Sequence, residues 1–241
     1  VQAFRLAEQI NLPVMIILDA FFLSHTSEPV DLTDQEIVDE FLPQRVAQYK
    51  LDPSDPHAFG ALVRPDAYME MRWQQQEAMR DTLRVMPEVD EAWGALTGRR
   101  YGAIEEYRTE DAELLLVTSG TITSTARHVV DARRSSGEKI GLVKIKMFRP
   151  FPTALLRSAL AGADRVAVLD RNISPGHGGI FAEETRSALY DVPLEDRPTL
   201  FGYVLGLGGR DVTPTVIEAI VDRTREAEAP ERQDLWVGVE L

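Results

Sequence analysis

The feature that most constrains this chain is a pattern that recurs four times after residue 110: an apolar run, a turn, then a helical stripe. The run at 114–117 is followed by Ser119-Gly120 and by Ile122, Ala126, Val129 and Val130 on one helical face, ending at Ser135-Ser136-Gly137. The run at 141–147 leads through Arg149-Pro150-Phe151-Pro152 to Leu155, Leu156, Ala159 and Leu160. The run at 166–169 precedes Gly176-His177-Gly178-Gly179 and an inward face of Phe181, Thr185, Ala188 and Leu189. The run at 199–204 precedes a glycine-rich turn and a stripe of Ile217, Ile220, Val221 and Thr224. Continuous apolar runs suit strands buried on both faces, and successive βα units close only as a parallel sheet with helices on both sides. The predicted fold class is therefore α/β. The charged last dozen residues are expected to be a surface extension.

The first half reads differently. Phe4, Leu6, Ala7 and Ile10 form a short helical stripe stopped by Asn11-Leu12-Pro13. Residues 14–18 are continuously apolar and predict a strand buried on both faces, the tail of an α/β unit. Thr33 is the expected N-cap of a helix over 34–41. Residues 50–66, rich in Asp-Pro and Pro-Asp pairs, predict an extended loop. Residues 67–96 predict a helix with Met79, Leu83 and Met86 on one side, broken near Pro87. Ten basic and twenty acidic residues fall in 1–110, against sixteen and nineteen in 111–241. With the change of periodicity this sets the expected domains at 1–108 and 109–241.

Composition removes whole classes of function. A formal charge of -13 repels phosphate backbones, so no nucleic-acid partner is expected. With no cysteine the chain has no thiol nucleophile, no CxxC zinc site and no iron–sulfur cluster of its own. No apolar run approaches the ~18 residues of a membrane span, and no basic n-region followed by an apolar h-region opens the sequence. A cytoplasmic location and no membrane partner are expected. The chain begins with Val1 directly in a helical pattern, which suggests an incomplete chain.

In an open α/β sheet, ligands and partners gather outside the carboxyl ends of the strands. There the sequence places Thr118-Ser119-Gly120, Phe148-Arg149-Pro150, Asp170-Arg171-Asn172 and residues 206–211. Arg149, Asp170, Arg171, Arg210 and Asp211 either cluster at this edge for paired charges or carboxylate recognition, or tie the loops through Asp170–Arg171 and Arg210–Asp211 ion pairs. Gly176-His177-Gly178-Gly179 opens a helix. It is either an anion site built on a helix N-terminus or a tight loop for close packing; the GxGxxG spacing and the P-loop lysine are absent. Thr213 and Pro214 predict an N-cap and first helical position. His25, directly after the apolar run 14–18, is the strongest candidate among four histidines, with a structural hydrogen-bonding role as the alternative. No metal-ligand spacing and no GxSxG elbow occur. From the residues alone no catalytic constellation and no metal site emerge.

Several motifs together carry a resemblance. Asp19-Ala20-Phe21-Phe22-Leu23-Ser24-His25-Thr26 is followed by Glu28-Pro29-Val30 and Val38-Asp39-Glu40-Phe41-Leu42-Pro43. Then come Gly98-Arg99-Arg100-Tyr101-Gly102, Phe148-Arg149-Pro150-Phe151-Pro152, Val168-Leu169-Asp170-Arg171-Asn172-Ile173-Ser174 and Gly208-Gly209-Arg210-Asp211-Val212-Thr213-Pro214. In this order and over nearly the whole chain, the sequence resembles the α subunit of pyruvate:ferredoxin oxidoreductase and its 2-oxoacid relatives.

The resemblance implies that 1–108 is the C-terminal part of a thiamine diphosphate pyrimidine-binding domain with a helical extension, and that 109–241 is a transketolase C-terminal-like domain. It implies oxidative decarboxylation of a 2-oxoacid, pyruvate by default, to acyl-CoA with ferredoxin reduction. The cofactor carries the hard chemistry. The activating glutamate and the substrate-facing threonine and arginine of the family lie in an earlier stretch with no counterpart before Val1. No catalytic residue therefore carries over, and this chain alone is expected to be inactive. Thiamine diphosphate and Mg2+ would be held largely by other segments, and iron–sulfur clusters by partner chains, in a hetero-oligomer with β, γ and δ-type subunits. Ferredoxin, coenzyme A and the 2-oxoacid would be reached through that complex. His25, Arg149, Asp170, Arg171, Arg210 and Asp211 would be subunit-contact or loop-edge residues. The alternatives are a non-catalytic scaffold subunit of such a complex and a small-ligand module using the glycine-rich loops.

Overall fold

A computed structural model describes residues 1–47, 49–60, 62–231 and 234–240. The chain divides into two compact units, one of Val1–Ile16 with Pro29–Gly102 and one of Ile17–Glu28 with Ala103–Leu241.

The second unit holds the expected α/β sheet. Its elements are β1 (Ile104–Tyr107), β2 (Leu114–Thr118), α4 (Ile122–Ser135), β3 (Ile140–Ile145), α5 (Thr153–Leu160), β4 (Arg165–Asp170), α6 (Ile180–Leu189), β5 (Thr199–Val204), α7 (Pro214–Glu226) and β6 (Leu235–Trp236). Strand order is β1-β3-β2-β4-β5-β6. All ladders are parallel except β1 against β3, where Glu105 faces Lys144. The central strand β2 is buried along its whole length, and its side chains alternate between two cores. Leu114 and Leu116 pack with Ile122, Ala126, Val129, Ile217 and Val221 under α4 and α7. Leu115 and Val117 pack with Leu156, Leu160, Ala182 and Leu189 under α5 and α6.

Three readings of this half need correction. Leu155 is exposed and Phe181 only half-buried, because Leu156, Ala159 and Leu160 and then Ala182, Thr185, Ala188 and Leu189 fill the space under α5 and α6. The sheet gains an antiparallel edge, β1, whose Ile-Glu-Glu-Tyr sequence is too short and charged to announce a strand. The tail is more than a surface extension: Leu235 and Trp236 pair with Tyr203 and Val204 as a sixth strand, and the Asp234 side chain is only 4% exposed. Arg232, Gln233 and Leu241, within the same tail, lie outside the described residues.

The first unit is helical: α1 (Gln2–Ile10), α2 (Gln35–Phe41) and α3 (Pro65–Thr97). Asn11 ends α1 in the left-handed conformation, φ 55°, a cap geometry that asparagine tolerates better than most residues. The α2 cap is Asp34, one residue after the expected Thr33, and its side chain makes no cap bond. The core is small, with Phe41 edge-on to Trp93 at 4.9 Å and Arg5 over the Phe41 ring at 4.7 Å. Helix α3 runs through Pro87 unbroken; the proline lies on the exposed side, where water can take the carbonyl one turn back. Its buried positions are Thr82, Val89 and Trp93, with Met79, Leu83 and Met86 half-buried beside them. Gly98 ends it at φ 70° with its N–H on the Gly94 carbonyl.

Residues 14–18 do not form the buried strand their composition predicts. Met15 and Ile17 are 83% and 72% exposed, and no strand among the described residues pairs with this run. An apolar run becomes a buried strand only where neighbouring strands supply the ladder. No described helix is long and apolar enough to cross a membrane.

The tail can be tested at Gly202, where a Cβ would overlap Asp234 Oδ1. Gly202→Ala is expected to cost about 1–3 kcal/mol in urea unfolding. Adding Asp234→Ala should cost less than the two separate losses summed, because the first change has already displaced that carboxylate.

Candidate functional site

The sheet starts at β2, adds β3 on one side and then β4 on the other. The switch point lies between the carboxyl ends of β2 and β4, where open α/β sheets bind ligands. Here the crevice is filled by the chain itself. Asp19 Oδ2 accepts hydrogen bonds from the Thr121 N–H at 2.7 Å and from the Thr121 hydroxyl, and Arg171 Nη1 lies 3.3 Å away. The same Nη1 donates to Thr121 Oγ1 at 3.1 Å, and the Arg171 guanidinium sits 4.7 Å over the Phe22 ring. A Cβ on Gly120 would come within 2.7 Å of both Asp19 oxygens, so only glycine admits the carboxylate to the N-terminal end of α4. Burial raises the Asp19 pKa, but the two Thr121 hydrogen bonds, with Arg171 and Lys144, outweigh it and hold the carboxyl below its usual range.

The next helix N-terminus is filled in the same way. The first four N–H groups of an α-helix have no intrahelical acceptor. At α6, the Gly179 N–H donates to Asp234 Oδ2 at 2.7 Å and Ile180 to Asn172 Oδ1 at 2.9 Å. Phe181 and Ala182 donate to the two Asp170 oxygens at 2.9 and 2.8 Å. Asn172 Nδ2 also donates to Asp170 Oδ1. Each orphan donor thus meets a side-chain oxygen, and no donor is left for a phosphate. The glycines of Gly176-His177-Gly178-Gly179 serve packing: a Cβ on Gly179 would overlap Asp170 Oδ2, and one on Gly178 would reach Asp234 at 3.0 Å. Arg186 holds Asp234 at 2.5 Å and Glu183 at 2.6 Å. Asp170 is fully buried; burial pushes its carboxyl up to about 6 despite the N–H donors, with nearby Asp234 adding to the rise.

The five charged residues expected at this edge do not gather into one cluster. Asp170 turns to α6 while Arg171 turns to Asp19, so no Asp170–Arg171 pair forms. Arg149 lies 4.1 Å over the Phe148 ring and pairs with Glu184. Arg210 and Asp211 are exposed beyond β5 and make no ion pair among the described residues. Arg210 borders a cavity of about 390 Å³ with Leu205, Gly206, Leu207, Trp236 and Val237. Thr213 caps α7, accepting from the Val216 N–H at 3.4 Å. His25 is exposed, stacked on Phe21 at 4.7 Å, with Nδ1 2.8 Å from the Ser24 hydroxyl. No group of His, Asp or Glu among the described residues is arranged to hold a metal. The sequence reading missed Asp19, Thr121, Asn172 and Asp234 as the groups that organise this edge. The available signal was Gly120, Gly179 and Gly202, each placed where a carboxylate needs room.

Residues 1–91 match the thiamine diphosphate-binding domain of the pyruvate flavodoxin/ferredoxin oxidoreductases, and 112–217 match core domain II of pyruvate:ferredoxin oxidoreductase. The chain belongs to the pyruvate:ferredoxin oxidoreductase family. It is 44% identical over 239 residues to the pyruvate synthase subunit PorA of Methanothermobacter thermautotrophicus, covering 98% of this chain and 60% of that one. It is 40% identical over 222 residues to the ketoisovalerate oxidoreductase subunit VorA of Pyrococcus horikoshii, covering 91% and 56%. A solved 2-oxoglutarate:ferredoxin oxidoreductase from Magnetococcus marinus aligns at TM-score 0.46 and 18% identity, over 68% of this chain and 24% of its own. The chain thus spans about three-fifths of the length of the curated relatives it matches.

Two outcomes follow from these caps. Asp170 has a folded-state pKa above the ordinary 3.8, so its contribution to stability is complete below pH 3.8 and is lost as pH rises through about 6. Wild type should therefore lose about 2–3 kcal/mol relative to Asp170→Asn between pH 4 and 7.5, read as paired urea midpoints. Asp19→Asn keeps the shape but removes the charge facing Arg171, and should speed amide exchange across residues 20–26 about tenfold, without changing exchange in β2.

Proposed function

We propose that this chain is the α-subunit portion of a thiamine diphosphate-dependent 2-oxoacid:ferredoxin oxidoreductase. The reaction is oxidative decarboxylation to acyl-CoA with reduction of ferredoxin, and pyruvate is the first substrate to test. The observation that carries this is the ordered match of two domains of one oxidoreductase family to residues 1–91 and 112–217. The PorA and VorA relatives set pyruvate and ketoisovalerate as the leading substrate choices. Residues 1–108 are assigned to the C-terminal part of the pyrimidine-binding domain and 109–241 to the transketolase C-terminal-like domain; β1 falls between this boundary and the compact unit that starts at Ala103.

Residues 1–91 match a thiamine diphosphate-binding domain, but among the described residues of 1–102 no buried carboxyl is present to activate the cofactor within this chain. An activating carboxylate has to be shielded from water, and the buried side chains of 1–102 are Leu6, Phe41, Thr82, Val89 and Trp93, none of them acidic. The cofactor and Mg2+ are therefore assigned to other segments of the complex, and no step of the reaction is assigned to a residue of this chain. A chain without cysteine leaves iron–sulfur clusters to partner subunits of β, γ and δ type. The assembly is taken to work in the cytoplasm.

The filled helix N-termini favour a specific division of labour: this chain builds and holds, and others bind and react. That is also what a non-catalytic scaffold subunit would look like. The two readings part in a dye-reduction assay on the complex, isolated anaerobically through a tag on this chain, with 2-oxoacids offered with and without coenzyme A. CoA-dependent reduction with one oxoacid is expected and identifies the substrate. No reduction, in a preparation retaining thiamine diphosphate, clusters and partner subunits, selects the scaffold.

The loop-edge residues His25, Arg149, Asp170, Arg171, Arg210 and Asp211 are read as supports of subunit contacts, Arg210 most directly because it is exposed and has no ion pair among the described residues. Arg210→Glu should weaken assembly in size-exclusion chromatography while leaving the KM of the assembled enzyme within about twofold, as rim charges act mainly on association. An intact oligomer with a raised KM would instead make Arg210 a ligand contact.

A further inference from the structure

The sheet has two outer edges, and they are not guarded alike. On one, β1 reads Ile-Glu-Glu-Tyr, and charge of that kind keeps other strands from adding on. On the other, β6 lies within Leu235-Trp236-Val237-Gly238-Val239, a stretch with no charge at all. Backbone alternation sets what this edge offers. Val237 donates its N–H inward to the Val204 carbonyl at 2.9 Å, and Trp236 is the register partner of Val204. In a parallel ladder the N–H groups of Trp236 and Gly238 therefore face away from β5. Among the described residues no strand lies there to meet them.

The side chains beside this edge are apolar in the middle and charged at the ends. Trp236 is 53% exposed and Val239 46%. Trp236 borders the cavity of about 390 Å³ with Leu205, Leu207, Val239 and Arg210, and a second of about 790 Å³ with Ile220, Leu235 and Glu226. Arg210 lies over the segment itself, since a Cβ on Gly238 would stand 3.6 Å from Arg210 Cδ. Glu240 borders the same cavity, yet Arg210 has no ion pair among the described residues. Glu226, exposed and likewise without an ion pair among them, ends α7 and so lies toward the amino edge of the sheet. A second copy is a poor match, because a chain at -13 would set Glu226, Glu231 and Glu240 against their own kind.

We propose that an extended segment of a partner subunit adds to this sheet as a strand against β6. Its backbone pairs with the outward groups of Trp236 and Gly238, and its apolar side chains fill the two cavities. A carboxylate on the segment meets Arg210, and a Lys or Arg on it meets Glu226. Trp236, an aromatic set between two pockets, is the anchor. This rests on the subunit-contact reading of Arg210 and names what that contact holds.

The test compares the complex, isolated anaerobically through a tag at the amino end of this chain, with the chain dissociated from it. Amide exchange is read residue by residue through fragmentation mass spectrometry. Exchange at Trp236 and Gly238 is expected to be about tenfold slower in the complex, while Val237, already bonded inward, changes less than about twofold. Equal protection of all three, or of none, overturns strand addition. Benzoylphenylalanine in place of Val239 should crosslink under light to a partner segment carrying Asp or Glu; a crosslink to a second copy of this chain overturns the proposal. Trp236→Ala should weaken the Kd for that subunit about thirtyfold, with exchange in β2 unchanged as the control for folding; an unchanged Kd overturns the anchor. The oxidoreductase reading fails separately, as a complex with this edge protected that reduces no dye. A chain that retains no partner overturns both.

Discussion

Helix α6 begins directly beyond the end of β4, so its unpaired N–H groups face the carboxyl edge of the sheet, where an open α/β fold would receive a ligand. Four donors there must be met, and in this chain they are met by Asp170, Asn172 and Asp234. The same demand at α4 brings in Asp19 from outside the sheet's own sequence. The glycines at 120, 178, 179 and 202 exist in relation to these carboxylates, since each stands where a Cβ would meet one. The arginines are placed by them too. Arg171 and Arg186 each serve an aspartate that serves a helix.

A sheet edge closed in this way is costly to convert into a binding site. A phosphate entering at α6 would have to displace the fully buried Asp170 carboxyl and the Asp234 carboxylate that Arg186 holds. Among the described residues, Arg210 beyond β5 and Lys144 on the other side of β2 have no ion pair at this edge.

The second half of the fold was legible because its signal is local. Leu114 to Val117, or Ile217 to Thr224, carry their burial in spacing alone and pack as read, while the α5 and α6 stripes depart from the reading only at Leu155 and Phe181. In the first half the three helices were legible in the same way, but the run 14–18 was not, because it needs neighbours that lie far away in any sequence. Apolar content alone cannot distinguish a strand that has found its sheet from one that has not. Pro87 misled for a related reason: whether a helix survives a proline depends on which side faces water, which emerges only after packing. At the edge, Asp170 and Arg171 look like an ion pair because they are adjacent. In a strand end, adjacent side chains point to opposite faces, and each found a partner distant in sequence. Asp19 lies 102 positions from Thr121, and no local pattern encodes that distance.

The reach of Asp234 has a consequence for how this domain comes to be made. Its carboxylate meets the Gly179 N–H from 55 positions downstream and supplies Arg186 with its more deeply buried counter-charge. A nascent chain that has emerged through β5 therefore carries a complete set of central strands but an unfinished helix start. Its guanidinium is then shared with Glu183 alone. The sheet becomes whole only when its last two-residue strand leaves the ribosome. Until then the edge beside Gly202 stays open to other chains, which makes the interval between translation of β5 and of β6 the time when this protein most needs protection from its neighbours.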